Sequence, residues 1–143
     1  MTEEMKPTVL IVDDESFYTE VLDNLLRADY NVVIVDNGSA ALSRARQQPQ
    51  PDLILLDVMM DEMDGYQVCK QLKGDQVTQG IPVIFLTVRS EVNDEVLGFN
   101  LGAVDYITKP MSPPIVRARV RTHIEIQRLR KRLENMVGEF DAS

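Results

Sequence analysis

The sequence predicts an α/β fold in which a doubly wound, five-stranded parallel sheet is covered by five helices, the last of them extended. Two observations carry the prediction. Short β-branched runs alternate with amphipathic segments from end to end, and parallel strands need crossover connections that bring helices onto both faces. The second concerns where the polar residues fall. Asp13 and Asp14 follow the first strand, Asp57 the third, Thr87 the fourth and Lys109 the fifth. In open parallel sheets the ligand crevice lies beyond the carboxyl ends of the strands, where the strand order switches.

Each element has its own warrant. Val9–Val12 reads as a buried first strand, and residues 16–28 space Phe17, Val21, Leu25 and Ala28 as a helix does. Val32–Val35 is the second strand, and the turn Asn37-Gly38-Ser39 leads into a helix over 39–47. The Gln-Gln-Pro-Gln-Pro loop separates it from the strand Leu53–Leu56. A third helix runs from Gly65 through Tyr66, Cys69 and Leu72. Pro82 opens the strand Val83–Leu86, Asp94–Leu101 gives a short fourth helix, and Tyr106–Thr108 is a brief last strand. Ser112-Pro113 then starts a long final helix, with a capping hydroxyl and a proline in the first turn.

The chain has 143 residues, enough for one core, and is 44% hydrophobic and 27% charged. Its apolar runs are far too short to span a bilayer, and no signal peptide is visible at its start. Cys69 is the single cysteine, so no internal disulfide forms and a cytoplasmic setting is expected. The net charge of −8 divides into −11 for residues 1–111 and +3 for residues 112–143. An acidic body argues against direct nucleic-acid binding, which needs clustered Lys and Arg, and the basic C-terminal stretch reads as a solvated helix face. No phosphate-cradling glycine loop is present, and the stretch around Asp61 to Gly65 fails the calcium-loop pattern at its first and twelfth positions.

Asp13, Asp14 and Asp57 would gather three like charges at one sheet edge, a repulsion that a hard divalent cation and a cationic side chain relieve. Few carboxylates with room for water and a phosphate oxygen suit Mg2+ better than Ca2+. Lys109 offers a compact ammonium, Thr87 a hydroxyl, and a carboxylate can accept a phosphoryl group as an acyl phosphate. Taken singly these residues are bland. The acid pair could cap a helix, Thr87 and Lys109 could be ordinary strand and surface residues, and Tyr106 could be core packing; Cys69 reads as core and His123 as helix surface. Their weight comes from the set.

That ordered set resembles the response-regulator receiver family of two-component signalling. It comprises Val-Asp13-Asp14-Glu, Leu-Leu-Asp57-Val-Met-Met, Met63-Asp64-Gly65, Thr87 and Asp105-Tyr106-Ile-Thr-Lys109-Pro110, over residues 7–122. The resemblance implies a flavodoxin-like strand order 2-1-3-4-5. It also implies Asp57 as phosphoacceptor from a sensor histidine kinase or phosphotransfer protein. Mg2+ is implied on Asp13, Asp14, Asp57 and the Met59 backbone carbonyl, with a cis Lys109–Pro110 bond. Thr87 and Tyr106 would form the switch, altering the surface made by the helix at 94–101, the last strand and the final helix. Such a chain is a self-phosphorylating and self-dephosphorylating acceptor rather than a turnover enzyme. One departure is Asp61, followed by Glu62, where family members often carry proline. Met59 and Arg89 hold positions that influence water access in this family.

The expected organisation is a receiver domain at 1–122 and an extended helix or linker at 123–143 toward an output domain. Ile126, Leu129, Leu133, Met136 and Phe140 alternate at three and four, the seam of a short coiled coil and of a homodimer through residues 123–140. The alternative is a solitary helix packed on its own domain. The input module of a larger regulator is the leading reading; a stand-alone receiver acting by partner binding and a Mg2+-dependent phosphohydrolase are the alternatives.

Overall fold

The computed structural model describes residues 6–88, 97 and 99–142. Five strands form one parallel sheet: β1 (Thr8–Val12), β2 (Asn31–Val35), β3 (Leu53–Asp57), β4 (Val83–Thr87) and β5 (Asp105–Thr108). Their order is β2-β1-β3-β4-β5, as the resemblance implies. The helices with bounds among the described residues are four: α1 (Ser16–Leu26), α2 (Gly38–Arg46), α3 (Gly65–Lys73) and α4 (Pro113–Ala142). The expectation of five is corrected to that extent. The helix expected at 94–101 falls largely outside the described residues, although Leu97, Phe99 and Asn100 are helical.

Alternation along the strands divides the core in two. Leu10, Val12, Ile54, Leu56, Val83 and Phe85 face α2 and α3, meeting Ala41, Ala45, Val68, Cys69 and Leu72. Val9, Ile11, Leu53, Leu55, Ile84 and Leu86 face α1 and α4, meeting Leu22, Leu26, Val116, Val120 and Ile124. The three central strands are buried at every position, which is why they read as unbroken apolar runs rather than alternating ones.

Local chemistry sets the ends. The Asn37 side chain accepts from Ala40 N–H at 2.8 Å and caps α2. At α3, Asp64 accepts from Gln67 N–H while the Gln67 amide side chain accepts from Asp64 N–H, a reciprocal capping box. The first helix stops two residues earlier than its periodicity predicts. Asp29 N–H bonds Leu26 O three residues back, tightening the last turn and ending the apolar face there. The final helix runs unbroken through residues 122 and 123 and through Gly138.

Gly65 has no room for a side chain. A Cβ there would lie 2.3 Å from the Asp57 carbonyl oxygen and 2.9 Å from Val58 Cα. Gly65 N–H donates to Val58 O at 2.9 Å, so α3 starts directly against the end of β3. The intervening loop holds Glu62 at φ 64, the left-handed region that side chains disfavour. Lys109–Pro110 is cis, as the resemblance implies, and so is Gln48–Pro49, which nothing in the sequence foretold.

Candidate functional site

The parallel register carries the polar residues to one edge. Val12 pairs with Leu56, so Asp13 emerges beside Asp57. Asp57 pairs with Leu86, which brings Thr87 one residue beyond it, and Thr87 pairs with Thr108, so Lys109 follows. Two backbone bonds extend the ladder past the strand ends, Val58 N–H to Leu86 O at 3.0 Å and Lys109 N–H to Thr87 O at 2.7 Å. Asp13, Asp57, Thr87 and Lys109 are all buried at this edge, while Asp14 is exposed.

Lys109 is the hub. Its Nζ lies 2.9 Å from Asp13 Oδ2, 3.4 Å from Asp57 Oδ1 and 3.9 Å from Glu15 Oε1. It also sits 4.2 Å from the centre of the Tyr18 ring, a cation–π contact. Asp13 Oδ1 accepts from Glu15 N–H at 3.0 Å, and Asp57 Oδ1 accepts from Met59 N–H at 3.2 Å. The second oxygens, Oδ2 of Asp13 and Oδ2 of Asp57, are buried and accept no hydrogen bond. Close approach of Lys109 to Asp13 Oδ2 is thus an ion contact without hydrogen-bond alignment.

Carboxylate oxygens of Asp13, Asp14, Glu15 and Asp57 lie within 4.8 Å of one another. One ammonium cannot balance four carboxyl groups. Burial first, and then the Asp13 carboxylate, push the Asp57 pKa from 3.8 up to about 7, against the pull of Lys109 and the Met59 N–H. Burial works against the charge on Lys109, yet Asp13 and Asp57 outweigh it and hold its pKa above the ordinary lysine value. A hard cation fits this donor set. Two buried oxygens lack hydrogen bonds, the donors are all oxygens, and the negative charge is in excess.

Glu15 and Tyr18 were not singled out by the sequence. Glu15 is the N-cap residue of α1 but makes no side-chain cap bond, which leaves its carboxylate to the cluster. Asp13 and Asp14 do not cap that helix themselves. Tyr18 lies within the first turn of α1, and only the helix phase aims its ring at Lys109.

Tyr106 is buried in the core between Phe85 and Phe99, with ring centres at 5.7 and 5.2 Å. Its carbonyl accepts from Arg119 Nη1 at 2.7 Å. Asp105 adds to this junction: its Oδ2 lies 3.0 Å from His123 Nε2 and 3.6 Å from Arg119 Nε. The expectation of His123 as helix surface is therefore corrected. Its ring is largely covered because α4 turns that face toward β5. Cys69 is buried in the core as expected, with its Sγ 3.6 Å from Leu101 O. Arg89 lies outside the described residues. Phe17 in the first turn of α1, and Met59 and Val88 just beyond the ends of β3 and β4, expose large apolar side chains.

Comparison with known proteins agrees with this geometry. The family model for the response regulator receiver domain matches residues 9–121. A Bacillus subtilis protein, the alkaline phosphatase synthesis transcriptional regulatory protein PhoP, is 45% identical over 118 residues, covering 82% of this chain and 48% of that protein. A Vibrio cholerae protein named "Probable cyclic di-GMP phosphodiesterase" is 44% identical over 128 residues, 90% of this chain and 29% of that protein. The chain thus spans less than half the length of these curated relatives. Among solved structures, the signal receiver domain of a signal transduction histidine kinase from Syntrophus aciditrophicus superposes with a TM-score of 0.74 at 38% identity. That match covers 83% of this chain and 90% of the other. With the matched residues spanning every strand of the sheet and both buried aspartates of its edge, the chain belongs to the response regulator receiver family.

Proposed function

We propose that Asp57 accepts a phosphoryl group from the phosphohistidine of a sensor histidine kinase or phosphotransfer protein, and that the resulting acyl phosphate sets the signalling state. A carboxylate oxygen of Asp57 attacks phosphorus, the phosphorus–nitrogen bond breaks, and the imidazole leaves with the electron pair. The observation that carries this reading is a buried carboxylate with one oxygen that accepts no hydrogen bond, beside a second buried carboxylate and an ammonium at 3.4 Å.

Asp13, Asp14 and Asp57, with the Met59 backbone carbonyl, would hold Mg2+. When bound, the metal offsets carboxylate repulsion and the charge of the transferred phosphoryl oxygens. The protein's own groups do the rest. Lys109, already poised against Asp57, pairs with a phosphoryl oxygen, and the Thr87 hydroxyl donates to another. That bond, made only to the phosphorylated form, is the differential contact a switch requires. Tyr106 carries the change toward the face built by β5 and the start of α4. The exposed Phe17, Met59 and Val88 offer apolar contact to the phosphodonor around an otherwise acidic edge.

Receiver domains are signalling modules rather than turnover enzymes, and the phosphodiesterase name of one relative describes a protein of which this chain spans 29%. That proportion, and the 48% for the regulator PhoP, favour an input module: a receiver at 1–122, with 123–143 leading toward an output domain. Among the described residues no helix is long and apolar enough to cross a membrane.

Mass spectrometry after incubation with acetyl phosphate and Mg2+ tests the acceptor. The expected result is a gain of one phosphoryl group in the wild type and none in Asp57→Ala. A gain that survives the substitution removes Asp57 from its role.

A further inference from the structure

We propose that two copies of this chain associate through a parallel, two-stranded coiled coil formed by the second half of α4, with Ile126, Leu129, Leu133 and Met136 as its seam. The inference is independent of the chemistry at Asp57 and rests on four observations about the helix.

First, the seam faces away from the chain's own core. Val116, Val120 and Ile124 dock α4 on the sheet, and Gln127 donates to Gly80 O at 3.1 Å on the same side. At 3.6 residues per turn, Ile126 and Leu133 lie roughly 150° around the helix from Val120 and Ile124. Ile126, Leu129, Leu133 and Met136 are accordingly 46 to 61% exposed. The alternative of a helix that buries this stripe on its own domain is thereby excluded for these four side chains.

Second, the helix outruns its domain. Among the described residues its last tie to the body is Lys131 Nζ to Asp52 Oδ1 at 3.1 Å, and residues 132–138 are all exposed. Adding this length to a helix that ends in water needs packing, because isolated short helices are marginal.

Third, the first heptad of the seam has the composition of a two-stranded coil. Ile126 and Leu133 take the a positions and Leu129 and Met136 the d positions, and the β-branched Ile126 at a with Leu129 at d is the pairing that favours dimers. Fourth, the flanking charges choose the occupant and its direction. Glu125 falls at g and Arg130 at the following e, both exposed. In a parallel dimer each Glu125 meets the partner's Arg130, giving two equivalent attractive pairs. The antiparallel register that stacks Ile126 on Met136 instead brings the two Arg132 side chains together. A second copy thus supplies both the apolar and the charge complement.

The seam is short, so association should be reversible and concentration-dependent, at the weak end of protein interfaces. Sedimentation equilibrium of the whole chain is expected to show a weight-average mass rising from 16.2 kDa toward twice that value as concentration increases. Leu129→Glu with Leu133→Glu should abolish the rise. Both positions are exposed, and an unchanged circular dichroism melting curve would show that the domain still folds. Glu125→Arg alone should weaken association about fivefold, and adding Arg130→Glu should restore it. Ile126→Cys under an oxidised glutathione buffer should give a covalent dimer through its own cysteine in the parallel arrangement.

Three results would overturn the proposal. One is a wild type that stays monomeric throughout, leaving the seam to the helix of a different protein. The second is association unaffected by the double glutamate variant, and the third is a charge reversal that fails to rescue. Because none of these variants touches Asp57, phosphoryl gain from acetyl phosphate serves as a separate readout. Loss of phosphorylation with an intact dimer, or the converse, tells which reading has failed.

Discussion

Glu62 sits at φ 64 in the loop between β3 and α3, a conformation in which a side chain crowds its own backbone. Where relatives often have proline one residue earlier, this chain has Asp61, and the turn closes with Met63 N–H on Asp61 O at 2.8 Å. Glu62→Gly should therefore stabilise the protein by about 1 kcal/mol, the left-handed penalty less the entropy that glycine adds to the unfolded chain. A urea midpoint that does not rise would show that the Glu62 side chain compensates for its backbone. At this scale the sequence was informative about residues that end strands and silent about those placed by helix phase. Asp13, Asp57, Thr87 and Lys109 stand at strand ends and were found. Tyr18 needed the first turn of α1 to be built, and the Asp105–His123 contact joins residues 18 apart on different elements.

At the scale of elements, the tightest junction is between β3 and α3. A methyl group at Gly65 would collide with the Asp57 carbonyl, which belongs to a buried strand and cannot yield. Gly65→Ala should cost about 3 kcal/mol and displace Asp57 itself, so, on the proposed role of that carboxylate, phosphoryl gain from acetyl phosphate should fall along with the melting temperature. A variant with full stability and slow phosphorylation would mean the strand end had shifted without loss of packing. Strand positions were legible to within a residue because buried parallel strands are continuous apolar runs bounded by polar groups. Helix ends were less so. The periodicity of α1 continues into Ala28, and only the tightened bond to Leu26 O shows that the helix has already stopped.

For the whole molecule, the carboxylate cluster links stability to pH and to metal. Asp57 titrates at about 7 in the metal-free folded protein and near 3.8 when unfolded. Between those values the folded state binds more protons, so metal-free stability falls as pH rises across that window, by on the order of 2–4 kcal/mol. Denaturant melts in EDTA at intervals from pH 4.5 to 7.5 should show this decline in the wild type and a smaller one in Asp57→Asn. Mg2+ favours the carboxylate form, so saturating metal should flatten or reverse the slope while raising the melting temperature. Equal slopes in the two proteins would mean that Asp57 is no more burdened than an ordinary surface acid. Composition had already indicated the acidic excess. Its concentration into four carboxyl groups around one ammonium came only from the register of the sheet.

Arg119 grips the Tyr106 carbonyl, and Asp105 holds both Arg119 and His123, so β5 is fastened to α4 near one end of a long rod. Val120, Ile124, Gln127 and Lys131 hold the following turns against the body, and from Lys131 to Ala142 the helix projects about 16 Å at 1.5 Å per residue. Such a projection is a lever with its fulcrum at the last of these ties. A tilt of about 10° there sweeps the far tip by roughly 3 Å, about the rise of two residues. A shift at the sheet edge too small to alter the core is thereby enlarged into a displacement that another domain, attached at the tip, would feel as a change of register.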